Sequence, residues 1–283
     1  MEGTLSIRCR DIIAFMEQLA PASLAENWDN VGLILGSGGM EIERILLCLD
    51  VTPEVVEEAL NADVRLIISH HPLIFKKIGR IHRDDPKGGL LYKLIKADIG
   101  VFSAHTNLDV VEQGVNRKLA EKLELSNITG LKDCVGPVGD ELGDNQAAAG
   151  FAAKNSGLGA VGYHTAGLKL EEFIAFVKAR LEVESVRATG RVRGIVEKVA
   201  VFCGSFDDDL DAVLSQKADV LVTGDLKYHT AVDALGMGMC IIDAGHFNTE
   251  KIILPVLEKL LASRFPGLEV ICSKMAADPF KTY

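Results

Sequence analysis

The sequence predicts an α/β protein made of two similar lobes related by internal duplication. Three observations predict it. Short apolar runs of strand length alternate with amphipathic runs of helical length, the rhythm of parallel strands joined by right-handed helical crossovers. Two stretches, starting at Glu43 and Glu197, repeat the same order of elements. The residues with the richest chemistry fall where the expected strands stop, which is where open α/β sheets carry their sites.

The elements follow in order. Asp11 to Leu19 (DIIAFMEQL) spaces its apolar residues as a helix does. A turn-rich stretch, PASLAENWDNVGLILG, holds the single tryptophan, Trp28. RILLCLD reads as a buried strand, and TPEVVEEAL as a helix with Thr52 as N-cap and Pro53 at its first position. VRLIIS is the next strand, GLLYKLIKA a helix and GVFSAH a third strand. DVVEQGVNRKLAEKL then continues as a helix, for which Asp109 would be an N-cap. Ser126 to Gly159 is rich in Gly, Ala, Asn and Asp with weak periodicity, and reads as a connector with some strand. LKLEEFIAFVKARL is a good helix.

The second half restates the first. ERILLCLDVTPEVVEEALNADVRLIISHH and EKVAVFCGSFDDDLDAVLSQKADVLVTGD both run strand, acidic turn, helix, Ala-Asp-Val, strand and polar end. The next strands end in GVFSAHTNLD and CIIDAGHFNTE, each with His-x-x-x-carboxylate. The expected division is a first lobe over residues 1–130 and a second over 131–283, with a C-terminal segment that could pack on the first.

Composition narrows the function classes. The chain has 283 residues, 48% hydrophobic and 25% charged, with a net charge of −10. That balance disfavours a general electrostatic grip on nucleic acid, without excluding a local basic patch. The six cysteines form no C-x-x-C pair, and several sit in apolar runs, which suggests a reduced, cytoplasmic protein. No signal peptide is expected at the N-terminus, and no apolar run approaches the ~20 residues that span a bilayer. There is no P-loop and no dinucleotide-binding fingerprint.

The candidate site residues lie at strand ends. His70 and His71 close RLIISHHP, before Pro72. Adjacent strand residues point to opposite faces. Past the strand end that alternation relaxes, and two imidazoles could serve two metals ~3.5–4 Å apart. Two ordinary loop histidines are the plainer alternative. His246 and Glu250 are four apart, so one helix face near an N-terminus would carry both. A surface histidine and a dipole-stabilising glutamate would look the same. His105 could be a ligand, a partner of one or a substrate contact. TGDLKYHTAVDA supplies Asp225, Lys227 and His229, of which Lys227 and His229 could contact an anion or move protons. Imidazole with carboxylate suits Zn, Mn, Fe or Ni.

Together, LAENWDNVGLILG, ISHHPLIF, HTNLDV, TGDLKYHTAVDA and GHFNTEK resemble the NIF-three-like proteins, also called GTP cyclohydrolase I type 2 homologues or dinuclear metal-centre proteins. The similarity covers nearly the whole chain in the family's order. It implies a dinuclear metal site in the cleft between two lobes, with two divalent ions per chain held by His70, His71, Asp109, His246 and Glu250. It implies a toroidal homohexamer. The family's KYH histidine matches His229. Gly204-Ser205-Phe206 departs from a frequent Gly-Ser-Gly, and Phe247 stands where a tyrosine is common.

Two function classes follow. One is a metal-dependent hydrolase acting on a nucleotide or phosphoester, with His229 or His105 shuttling protons. The other is a metal-binding, trafficking or regulatory assembly without turnover. An open coordination position beside a pocket separates them.

Overall fold

The computed structural model describes residues 6–133, 157–206 and 209–281. The chain folds into two units. One comprises Met1–Leu108 with Leu254–Ala277, the other Asp109–Ile253 with Asp278–Tyr283.

The first unit is built on a five-stranded sheet. Its strands are β1 (Gly32–Leu35), β2 (Arg44–Cys48), β3 (Leu66–Ser69), β4 (Gly100–Ser103) and β11 (Glu269–Cys272), in the order β1-β4-β3-β2-β11. All neighbours are parallel except β1 and β4. RILLC and LIIS are apolar almost without interruption because parallel strands are covered on both faces. Leu46, Ile67 and Val101 pack with Val55, Val56, Leu91 and Leu94 in one buried cluster. Each such side chain contributes about 1.5–3 kcal/mol on leaving water. The crossover helix Pro53–Asn61 starts as the sequence requires: Thr52 Oγ1 accepts from the Val55 amide at 3.3 Å, and Pro53 needs no donor partner. Helix Pro86–Lys96 joins β3 to β4, and helix Cys9–Leu19 lies within the same unit.

The second unit has six strands: β5 (Ser126–Asp133), β6 (Gly157–Leu168), β7 (Arg187–Thr189), β8 (Val196–Ser205), β9 (Val220–Gly224) and β10 (Ile241–Asp243). Their order is β5-β6-β8-β9-β10-β7. β8, β9 and β10 are parallel, and the flanking pairs are antiparallel. Each sheet therefore holds three parallel strands that are consecutive in the repeated segments: β2, β3, β4 in one and β8, β9, β10 in the other. Ala200, Phe202, Leu221 and Ile241 join Leu210, Val213 and Ala234 in this unit's core.

The stretch from Ser126 to Gly159 carries strand as expected: it begins with β5, and its last residues open β6. The rest of it, with Cys134, lies outside the described residues. The helix expected from Asp109 is instead a short helix, Thr106–Asp109, that ends there, and a separate helix, Val115–Lys122. Side-chain bonds start the turn early. Asp29 accepts from the Thr106 amide and hydroxyl, and Asn107 Oδ1 accepts from the His105 backbone N–H. Gly114 then sits extended before the second helix. Among the described residues, no helix is long and apolar enough to cross a membrane.

Candidate metal-binding site

In the first unit, the donors come from the ends of β3 and β4. The ladder carries past β3: the His70 and His71 amides donate to the carbonyls of Cys48 and Leu49 at 3.0 and 2.8 Å. The hydroxyls of Ser69 and Ser103 meet at 2.9 Å across the two strand ends. Beyond Ser69 the two-residue alternation has ended, since the neighbouring His70 and His71 rings lie 5.0 Å apart. The His105 ring completes a triangle, 5.2 Å from His70 and 5.4 Å from His71. Each of the three offers a ring nitrogen within 4.8 Å of the others.

Every ring is oriented by its other nitrogen. His70 Nδ1 lies 2.9 Å from the Ala104 carbonyl oxygen. A carbonyl only accepts, so Nδ1 carries the proton and Nε2 the lone pair. His71 Nδ1 is 3.0 Å from Asp50 Oδ1, and His105 Nδ1 is 3.0 Å from Asp29 Oδ1. Carboxylates also accept, so the same tautomer follows. The side chain of Asp29 is fully buried. Burial pushes its carboxyl up, but hydrogen bonds from His105 and Thr106, the attraction of His105 and the Asn30 amide outweigh that, holding it at about 2.

In the second unit, β8, β9 and β10 end close together. A Cβ on Gly224 would lie 2.6 Å from the His246 amide nitrogen and 2.7 Å from the Gly204 carbonyl oxygen. Helix His246–Glu250 follows β10 through Gly245, whose φ of +89° suits glycine. His246 Nδ1 is held by Asp225 Oδ2 at 2.8 Å, with Asp225 in the left-handed region at φ +47°. His246 Nε2 lies 3.1 Å from Glu250 Oε1, as the i, i+4 spacing demands. Two acceptors that face each other so closely need a proton or a metal ion between them. Asp109 and Glu250 are buried. Cys203 Sγ donates to Asp109 Oδ1 at 3.3 Å, and its amide donates to Asn116 Oδ1 at 2.8 Å. Burial, then the charges of Asp109 and Glu250, push the Cys203 thiol well above its ordinary value, so it stays a neutral donor.

The sequence-selected residues therefore gather as His70, His71 and His105 in one unit and His246 with Glu250 in the other, where Asp109 adjoins Cys203. His229 is exposed at the start of helix Tyr228–Gly236, its ring 5.4 Å from Tyr228. The orienting residues Asp29 and Asp50 escaped sequence reasoning. Asp50 ends LLCLD and Asp29 sits in NWDN, so each had a signal only as an acid near a strand end or turn. The fit to a metal is good. Four imidazoles present Nε2 while Nδ1 is tied to an oxygen, which is how ligating histidines are held.

The chain has relatives in sequence and in fold. A family model described as Duf34/NIF3 (NGG1p interacting factor 3) matches residues 7–279. A Clostridium perfringens protein named GTP cyclohydrolase 1 type 2 homolog is 37% identical over 276 residues, covering 97% of this chain and 99% of that one. The crystal structure of a Bacillus cereus protein related to NIF3 superposes with a TM-score of 0.87 at 27% identity, over 99% of this chain and all of the other. A hypothetical protein of Staphylococcus aureus gives the same TM-score at 30% identity, over 99% of this chain and 100% of that one. The chain belongs to the Duf34/NIF3 family.

Proposed function

We propose that the chain binds divalent metal ions through His70, His71, Asp109, His246 and Glu250, and that it hydrolyses a nucleotide or phosphoester. One observation carries the reading: His70, His71 and His246, like the neighbouring His105, have Nδ1 fixed by an oxygen, so that Nε2 is the donor nitrogen. Each unit carries its own set of imidazole or carboxylate donors to offer a divalent ion. Bound there, divalent ions would lower the pKa of a water and polarise the substrate. The donors suit Zn, Mn, Fe or Ni.

The chain's own residues divide the remaining work. His70, buried and bonded to Ala104, is a rigid donor. His105, with Nδ1–H committed to Asp29, can accept a proton at Nε2 and is the best placed general base. His229, exposed, would return a proton to the leaving group. The name shared by the curated relatives supports a nucleotide substrate. A cytoplasmic homohexamer is the expected assembly, from the resemblance and the cysteine usage.

Elemental analysis of the purified chain should give about two ions, and His70→Ala or Glu250→Ala should lower that content. Hydrolysis is then followed on a panel of nucleotides and phosphoesters. Equal turnover by wild type and both variants would sink the catalytic assignment. Full metal content with no turnover would favour the metal-binding assembly.

A further inference from the structure

Trp28 and Phe75 are 57% and 51% exposed. Single exposed apolar side chains are ordinary, but here two large rings stand side by side next to a polar donor cluster. Their centroids are 5.7 Å apart, tilted by 58°. The His105 ring lies 6.0 Å from Trp28 and 6.5 Å from Phe75, edge-on to both. The loops that carry the two rings are tied down. Asp29, beside Trp28, is bonded to His105 and Thr106, and the Glu26 amide donates to Thr106 Oγ1 at 2.9 Å. Asn30 Nδ2 donates to the carbonyl of Ile74, beside Phe75, at 2.5 Å. A folded chain has thus positioned two aromatic faces that it does not bury.

We propose that Trp28 and Phe75 are a stacking wall for a planar heteroaromatic ring, so that the ligand is a nucleoside or nucleotide. The inference rests on the proposed function and names the ligand class for that site. An aromatic face takes the π-surface of any base. The polar edge of a base stacked there would face the imidazole of His105. A pocket that joins apolar walls to a few fixed polar groups is how small-molecule sites select their ligands.

Trp28 is the only tryptophan in the chain, so its fluorescence reports this wall alone. Full-length, metal-loaded protein is titrated with guanosine and adenosine, with pyrophosphate and ribose 5-phosphate as probes without a ring. The nucleosides should quench Trp28 saturably, and the ringless probes should not. Phe75→Ala and Phe75→Leu should each raise the dissociation constant by about two- to tenfold, Phe75→Tyr should restore it, and metal content should not change. Guanosine quenching that depends on Phe75 in a protein that takes up no metal would sink the metal reading and leave the wall standing. Full metal content with no quenching, or with quenching equal in all Phe75 variants, would overturn the wall. Trp28 emission that shifts to the blue with protein concentration, without nucleoside quenching, would also overturn it and assign the rings to a contact between copies.

Discussion

Replacing Gly204 by alanine probes the tightest part of the second unit. Gly204 has φ +63°, and an added Cβ would collide with Glu250 Oε1 and approach His246 Nε2 to 3.2 Å and Glu250 Cδ to 3.3 Å. Alanine in the left-handed region costs about 1 kcal/mol. Overpacking a buried group adds about 1–3 kcal/mol, and Glu250, 3% exposed, has little room to move. The total is about 2–4 kcal/mol. Gly167 is the matched control: its φ is +64°, and its nearest neighbour would be Ile195 Cδ1 at 3.9 Å. Gly167→Ala should therefore cost only the backbone share, about 1 kcal/mol. Urea unfolding of wild type and both variants measures the difference directly. Calorimetry should place Gly204→Ala several degrees below Gly167→Ala, at about 2–4 °C per kcal/mol. Metal content should fall in Gly204→Ala alone. Equal losses in the two variants would refute the idea that Gly204 makes space for the Glu250 carboxylate.

Three further outcomes are expected. Asp29 is depressed to about 2, so its stabilising share is complete above the unfolded carboxyl value near 3.9 and is lost as pH falls towards 2; that share is about 2 kcal/mol, and Asp29→Asn should remove this part of the acid dependence of urea unfolding. Cys203, with its thiol pushed up by burial and by two carboxylates, should resist alkylation at mildly alkaline pH until the chain is unfolded, as mass spectrometry of the labelled protein would record. Asp225→Ala and Asp50→Ala leave every donor in place but release the Nδ1 of His246 or His71; each should weaken metal binding about 10- to 100-fold in a competition titration, and unchanged affinity would count against the oriented-tautomer argument.

Much of the architecture was legible because local rules act on short segments. The β2 and β3 runs announce themselves by unbroken apolar residues, and Thr52-Pro53 announces a helix start. The His246–Glu250 pair was legible too, since four residues make one helical turn. The helix break after Asp109 was not. It depends on Asp29 reaching Thr106 from 77 positions away, and no window along the chain contains that bond. Asp50 and Asp29 were invisible as orienting groups for the same reason: an acid at a strand end or in a turn has many uses, and only its histidine partner selects one.

The sequence by itself determined the α/β class, the repeated order of elements and which imidazoles and carboxylates end the strands, because periodicity, caps and strand length are properties of neighbouring residues. The tertiary structure alone decided the tautomers. His70, His71, His105 and His246 each owe the proton on Nδ1 to an oxygen that lies 21 to 76 residues away in the chain. That proton is what turns a nearby histidine into a donor aimed by Nε2, and it is set by distance in space rather than along the sequence.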